Sequence, residues 1–155
     1  MPNPTATDAQ LIMQLYDLRR EPEMRKARDW STQQFFPSSL DDITALFMAQ
    51  GSDENRWLRQ VISYWEMVAS FVNRGVLNRE LLEDSVGEYV NVYTKFRPYL
   101  KELRKAFGYP DFMINIERLV EESETGRRRV VMTEKWFAER SAREIQAAAA
   151  RAKTA

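Results

Sequence analysis

From Leu82 to Phe107 the apolar residues fall at Leu82, Val86, Tyr89, Tyr93, Phe96, Leu100, Leu103 and Phe107, alternating steps of four and three. That is one face of an α-helix held over several turns, and such a stripe must be buried against other elements. Two residues interrupt it. Gly87 costs about 1 kcal/mol against alanine, and Pro98 removes the N–H that would bond the Thr94 carbonyl, which predicts a kink between Thr94 and Pro98. The alternative is a short helix over Arg79 to Asp84 and a separate long one from near Val86.

The same periodicity organises the rest of the chain. Thr7-x-x-Gln10 reads as a capping box opening a first helix with Leu11, Leu15 and Leu18 inward, flanked by Ile12 and Tyr16. Pro22 ends it at Arg20 or Glu21 and fits the first turn of a second helix, in which Met24, Ala27, Trp30 and Gln34/Phe35 keep helical spacing until Pro37. Ser39-x-x-Asp42 starts a short third helix carrying Leu40, Ile43, Leu46 and Phe47, closed by Gly51. Ser52 or Asp53 caps a long fourth one from Glu54 to Arg74, where Trp57, Val61, Trp65, Val68 and Val72 form one line that Leu58, Ile62, Ala69 and Phe71 widen. Asn78 caps the stripe helix, and Asp111 a further helix with Phe112, Ile116, Leu119 and Val120 inward.

From Glu121 to Arg129 the chain is charged and turn-forming, without apolar spacing, so the one internal boundary is placed there. Val130 to Met132 reads as an extended segment or a first helical turn. A terminal helix follows, anchored only by Trp136, Phe137 and Ile145. The whole predicts an all-α antiparallel bundle of about six to seven helices with two long central helices and a basic C-terminal helix. Residues 1–6, with two prolines, read as a loose arm.

Composition sharpens this picture. Of 155 residues 44% are hydrophobic, with eight Phe, six Tyr and four Trp, which predicts an aromatic-rich core. Formal charge is zero, yet from Arg127 onward eight basic residues face three acidic ones, a net of +5, leaving −5 on residues 1–126. The chain therefore divides into an acidic bundle, 1–126, and a basic helical extension of the same domain, 127–155. It has neither Cys nor His. Disulfides, thiolate catalysis, His-based relays and Cys- or His-ligated metals are excluded, and an enzymatic role is disfavoured. No cofactor motif is found, and no Gly-rich phosphate loop. The N-terminus has no basic region followed by an apolar core, and no apolar run approaches the ~20 residues of a membrane span, so a cytoplasmic location is expected.

Three constellations carry the candidate chemistry. Trp57, Tyr64 and Trp65 on one long helix and Tyr89, Tyr93 and Phe96 on the other would meet across the Gly75-Val76-Leu77 link. They form either solid core or, with Arg97 or Arg59 at the edge, a pocket for a flat ligand; aromatics at helical spacing favour core. The basic tail offers Arg127, Arg128, Arg129, Lys135, Arg140 and Arg143 to a protein partner or to nucleic acid. No nucleic-acid module is recognisable, so docking on an acidic body, its own or a second copy's, is favoured, with Glu117, Glu121, Glu122 and Glu124 as counter-charges. Glu80, Glu83, Asp84 and Glu88 lie at the spacing for a magnesium site, though a helix start gathers acids for dipole reasons alone. The group Arg19, Arg20, Arg25, Lys26 and Arg28, interleaved with acids, reads as a solvated face.

Leu15-Tyr16-Asp17-Leu18-Arg19, Pro22-Glu23-Met24-Arg25 with Ala27-Arg28, the helix ending Val72-Asn73-Arg74-Gly75-Val76-Leu77, and Leu81-Leu82 followed by Tyr89, Pro98 and Arg104 together resemble a bacterial family of uncharacterised helical proteins, a domain of unknown function. The likeness runs from about Leu11 to Phe107. It implies a helical fold and assigns no catalytic residue; many members carry an N-terminal membrane segment. The sequence as a whole predicts a non-catalytic interaction module, a homo-oligomer or a protein's partner, with nucleic-acid association through the tail and small-molecule sensing at the aromatic seam as alternatives.

Overall fold

The computed structural model describes residues 3–154, with side chains to residue 152. Part of the expected N-terminal arm, Met1 and Pro2, and the side chain of Lys153 lie outside the described residues. The described chain is all helical: α1 (Ala6–Arg20), α2 (Pro22–Gln33), α3 (Leu40–Met48), α4 (Asp53–Asn73), α5 (Arg79–Ser85), α6 (Glu88–Phe96), α7 (Leu100–Phe107), α8 (Ile114–Glu121) and α9 (Glu124–Thr154), with a 3-10 turn at Arg97–Tyr99 between α6 and α7. No strand is present among the described residues.

α4 is the central post. It packs against α2, α3, α6 and α8, and α9 closes the bundle over α6 and α8. The width of the α4 stripe is the reason: Leu58, Val61, Ile62, Trp65, Val68, Ala69 and Val72 are all buried, which takes neighbours on two sides. Ring packing extends the core, with Trp30 stacked on Phe35 at 5.1 Å and Phe96 tilted against Phe35 at 5.6 Å.

The long stripe is buried as its spacing requires, but it is not one helix. Gly87 occupies the N-cap of α6 and Val86 before it is extended, so the chain re-enters helical geometry there. The Pro98 kink is a full 3-10 turn. The second long central helix is therefore three short ones, and the longest helix is α9, of 31 residues.

Other corrections are local and have local causes. Thr5 with Asp8, not Thr7 with Gln10, makes the first capping box, because Asp8 also accepts from the Asn78 backbone N–H at 2.7 Å and is held inward. Leu18 and Tyr16 are exposed. The buried side of α1 runs through Asp8, Leu15 and Arg19, rotated away from Leu18 by two polar residues that hydrophobic spacing does not count. Asp111 sits in the turn before α8 and caps nothing; Glu66 of α4 instead accepts from the backbone N–H groups of Asn115 (2.8 Å) and Ile116 (3.0 Å).

α9 begins at Glu124 and runs unbroken through the charged stretch expected to be a boundary, so Val130 to Met132 are helical. Gly126 is inside the helix and buried. A Cβ there would stand 2.3 Å from the Val120 carbonyl oxygen, so glycine serves the close crossing of α8 and α9 and not a turn. The start of α9 is fixed by Ser123, whose Oγ accepts from the Gly126 N–H at 3.1 Å while its hydroxyl donates to buried Glu83 at 2.5 Å.

Candidate functional site

α6 is buried almost all round, and it carries two charges inward, Glu88 and Lys95, two turns apart on the same side of the helix as Val92. Glu88 is heavily partnered. Arg28 reaches it through Nε (2.9 and 3.0 Å) and Nη2 (2.7 Å), Arg19 through Nη2 (2.9 Å), and the Trp65 indole N–H donates to it at 3.3 Å. Burial works to raise the Glu88 pKa, but the Arg28 hydrogen bond and the charges of Arg28 and Arg19 outweigh it and hold the carboxyl below the usual range. Arg19 and Arg28 thus leave the solvated face expected for them, because a buried carboxylate from α6 needs both. The cluster ties α1, α2, α4 and α6 into one unit.

Lys95 has no such partner. Its residue is 4% exposed and its ammonium donates to the Ser31 carbonyl; no carboxylate among the described residues pairs with it. Around it stand rings, the Phe36 centroid at 4.3 Å, Phe137 at 5.6 Å and Phe35 at 5.9 Å. Burial first, then the charge of Arg140, pushes its pKa down to about 7. Lys95 forms part of the wall of a cavity of about 400 Å³ between α6, the Phe36–Ser38 link and α9. Arg140 lies on the same wall, its guanidinium 3.6 Å from the Phe36 centroid, donating to the Gln33 carbonyl (3.2 Å) and to Glu144 (2.7 Å).

The expected pocket residues do meet, mostly as packing. Trp65, Tyr89, Tyr93 and Phe96 are buried to 2% exposure or less, with Trp65 5.9 Å from Tyr89. Tyr64 is buried and donates to the Leu15 carbonyl at 2.7 Å, and Trp57 packs half-buried on Trp30. Arg97 stands at the surface between Glu121 (3.0 Å) and Glu134 (2.9 Å). The cavity beside Tyr64 and Trp65 measures about 40 Å³, room for a water and not for a flat ligand. Of the acidic quartet, Glu83 is engaged by Ser123 and Glu88 by the arginines. No group of three or more acids that could hold a metal occurs among the described residues.

The tail residues do not share a face. Arg140 turns to Phe36, and Arg129 turns to the body, its Nη1 3.5 Å from the Val86 carbonyl. Arg127 folds back on the Glu121 carbonyl, Lys135 lies 4.0 Å from Glu139, and Arg128 and Arg143 face out. Three of the expected counter-charges are engaged by arginines of the body: Glu117 by Arg104 (2.7 Å), Glu121 by Arg97, and Glu122 at 4.0 Å from Arg79. Past Arg140 every residue of α9 described to 152 is exposed. Val131, Ala138, Ala142, Ile145 and Ala149 follow one another along one side of the helix, all exposed, with Val131 at 65% and Ile145 at 67%.

What sequence reasoning missed is the two inward charges of α6. The available signal was their shared line with Val92, a faint one, since charged residues at such spacing usually mark a wet face.

None of the helices is long and apolar enough to cross a membrane among the described residues. No curated protein and no solved structure matches the chain. A family model does match, over residues 4–123, which stops one residue short of α9. The chain therefore belongs to the family described as a domain of unknown function, DUF4760, and carries α9 beyond the matched region.

Proposed function

We propose that the chain is a non-catalytic assembly module in which the far half of α9 reaches over the body of a second copy. The carrying observation is the exposed helical stretch beyond Arg140, whose Ala142, Ile145 and Ala149 continue the side begun by Val131 and Ala138. Small residues at such spacing let another element approach the backbone closely, and isolated helical segments of this length are marginal in water. A second copy is the occupant that charge favours. Residues 1–126 carry −5 and the remainder +5, so tail and body attract across copies while the neutral chain does not repel its like. Reciprocal exchange of the two tails gives a closed two-fold dimer. The position of α9 outside the family-matched region supports a role added to a common body. The inward turn of Arg129 and Arg140 leaves fewer cations for nucleic acid than the sequence suggests, and this favours a protein surface.

The test is solution mass by light scattering, at low and high salt, for the full chain and for a chain ending at Glu144, which keeps the α9 residues that line the cavity beside α6. The expected result is a dimer that loosens with salt and a monomer after shortening. A full chain that stays monomeric at tens of micromolar, or a shortened chain that stays dimeric, contradicts the proposal.

A further inference from the structure

We propose that the cavity between α6 and α9 binds a small organic carboxylate, its oxygens held by Lys95 and Arg140 and its apolar body against Phe36 and Phe137. Four observations meet there. A buried ammonium has a neutral carbonyl as its hydrogen-bond partner and no carboxylate beside it, whereas Glu88 two turns away has two arginines. A second cation, Arg140, sits on the same Phe36 ring that Lys95 faces. The space they border, about 400 Å³, suits a molecule larger than an inorganic ion. Part of its wall is ring and pyrrolidine: Phe36, Pro37, Pro98, Tyr99 and Phe137.

Burying an unpaired charge is unfavourable, and a ligand anion supplies the missing partner. A carboxylate is favoured over a dianion because the wall also holds acids. The wall holds two cations, Lys95 and Arg140, and two acids: Glu144 is paired with Arg140 and Glu134 with Arg97 of the adjoining turn, which leaves Lys95 as the wall charge without a carboxylate beside it. The other charged groups near Lys95 are Glu88 on its own helix, neutralised by Arg28 of α2 and Arg19 of α1. A single negative charge is therefore the match.

Binding is linked to protons. Burial holds the Lys95 pKa down at about 7 and an anion beside it favours the ammonium form, so the Lys95 amine takes up a proton as the carboxylate binds. Lower pH raises the ammonium fraction and so the affinity. With a pKa of about 7, apparent affinity should be about tenfold higher at about pH 6 than at about pH 8.

The experiment uses the full chain with benzoate, and inorganic phosphate in parallel, followed by calorimetry and by melting temperature. Benzoate stays ionised over that range, so its pH dependence reports on the protein. Binding of benzoate, strengthened about tenfold at the lower pH and lost in Lys95→Met, is the expected result. Arg140→Gln should weaken benzoate by about tenfold, the loss of one charge-assisted bond, without moving the unliganded fold. Lys95→Met removes a buried charge and should remain folded; its unliganded melting temperature checks this. Phosphate binding in place of benzoate overturns the carboxylate assignment. No binding of either probe, binding unchanged in Lys95→Met, or binding without pH dependence overturns the site.

Discussion

The body of this protein and the far half of its last helix treat charge in opposite ways. Up to Arg140, inward or half-buried charges are engaged by other elements: Glu88 by α1, α2 and α4, Glu66 by the start of α8, Glu117 and Glu121 by arginines of α7 and of the turn before it. Beyond Arg140 every residue of the helix described to 152 is exposed, and Glu144 pairs with Arg140 one turn earlier on the same helix. Removing a charge from the body leaves its partners buried and uncompensated, whereas the far half keeps its described charges at the surface. Lys95 is the exception inside the body, a buried charge with no counter-ion, and it stands where a cavity opens.

The largest effect should come from the densest cluster. Glu88→Ala leaves Arg19 and Arg28 facing each other half-buried and should cost about 3–5 kcal/mol in chemical unfolding. The same carboxyl gives a pH signature. Its folded pKa lies below the unfolded value, so its stabilisation is present above the ordinary carboxylate range and fades as pH falls through the folded value. Glu88→Gln should flatten that acid-side loss in a melting-temperature profile.

Next, Gly126→Ala should cost about 3 kcal/mol, because the added Cβ meets backbone of α8 that has no room to give. The loss should appear as a lower melting temperature. A mild effect would show that α9 sits less closely on α8 than the crossing implies.

Lys95→Met should act in the opposite direction. The unfolded lysine stays charged to its ordinary pKa, while the folded one is depressed to about 7, so wild-type stability rises with pH between those values. The variant should gain about 2 kcal/mol near and below neutrality after the lost Ser31 hydrogen bond is allowed for, and the gain should shrink as pH rises. Smallest for the fold, and largest for assembly, is Ile145→Glu. Its unfolding free energy in dilute solution should be unchanged within about 0.5 kcal/mol, while dimer mass is lost.

Most of the fold was legible in apolar spacing, because a packed helix advertises its buried side. The α4 stripe and the Leu82 to Phe107 stripe are buried at nearly every position named. What spacing could not show is where one helix becomes several, since the stripe survives the breaks at Gly87 and Pro98, and where glycine means contact. Gly126, among charged residues, reads as a turn; only the α8 backbone beside it shows why it is glycine. The candidate site was less legible still. Glu88 and Lys95 look like exposed helix residues until α1, α2 and α9 are laid over them, and their roles depend on Arg19, Ser31 and Arg140, far away along the chain. The cap of α8 has the same origin, a side chain of α4.

The far half of α9 is the part on which the functional reading rests, and its most direct test is the mass of the full chain against that of the chain ending at Glu144, measured by light scattering at the same concentration and salt. A dimer that becomes a monomer with an unchanged circular-dichroism melting curve in dilute solution is the result expected. Equal masses for the two chains would contradict it.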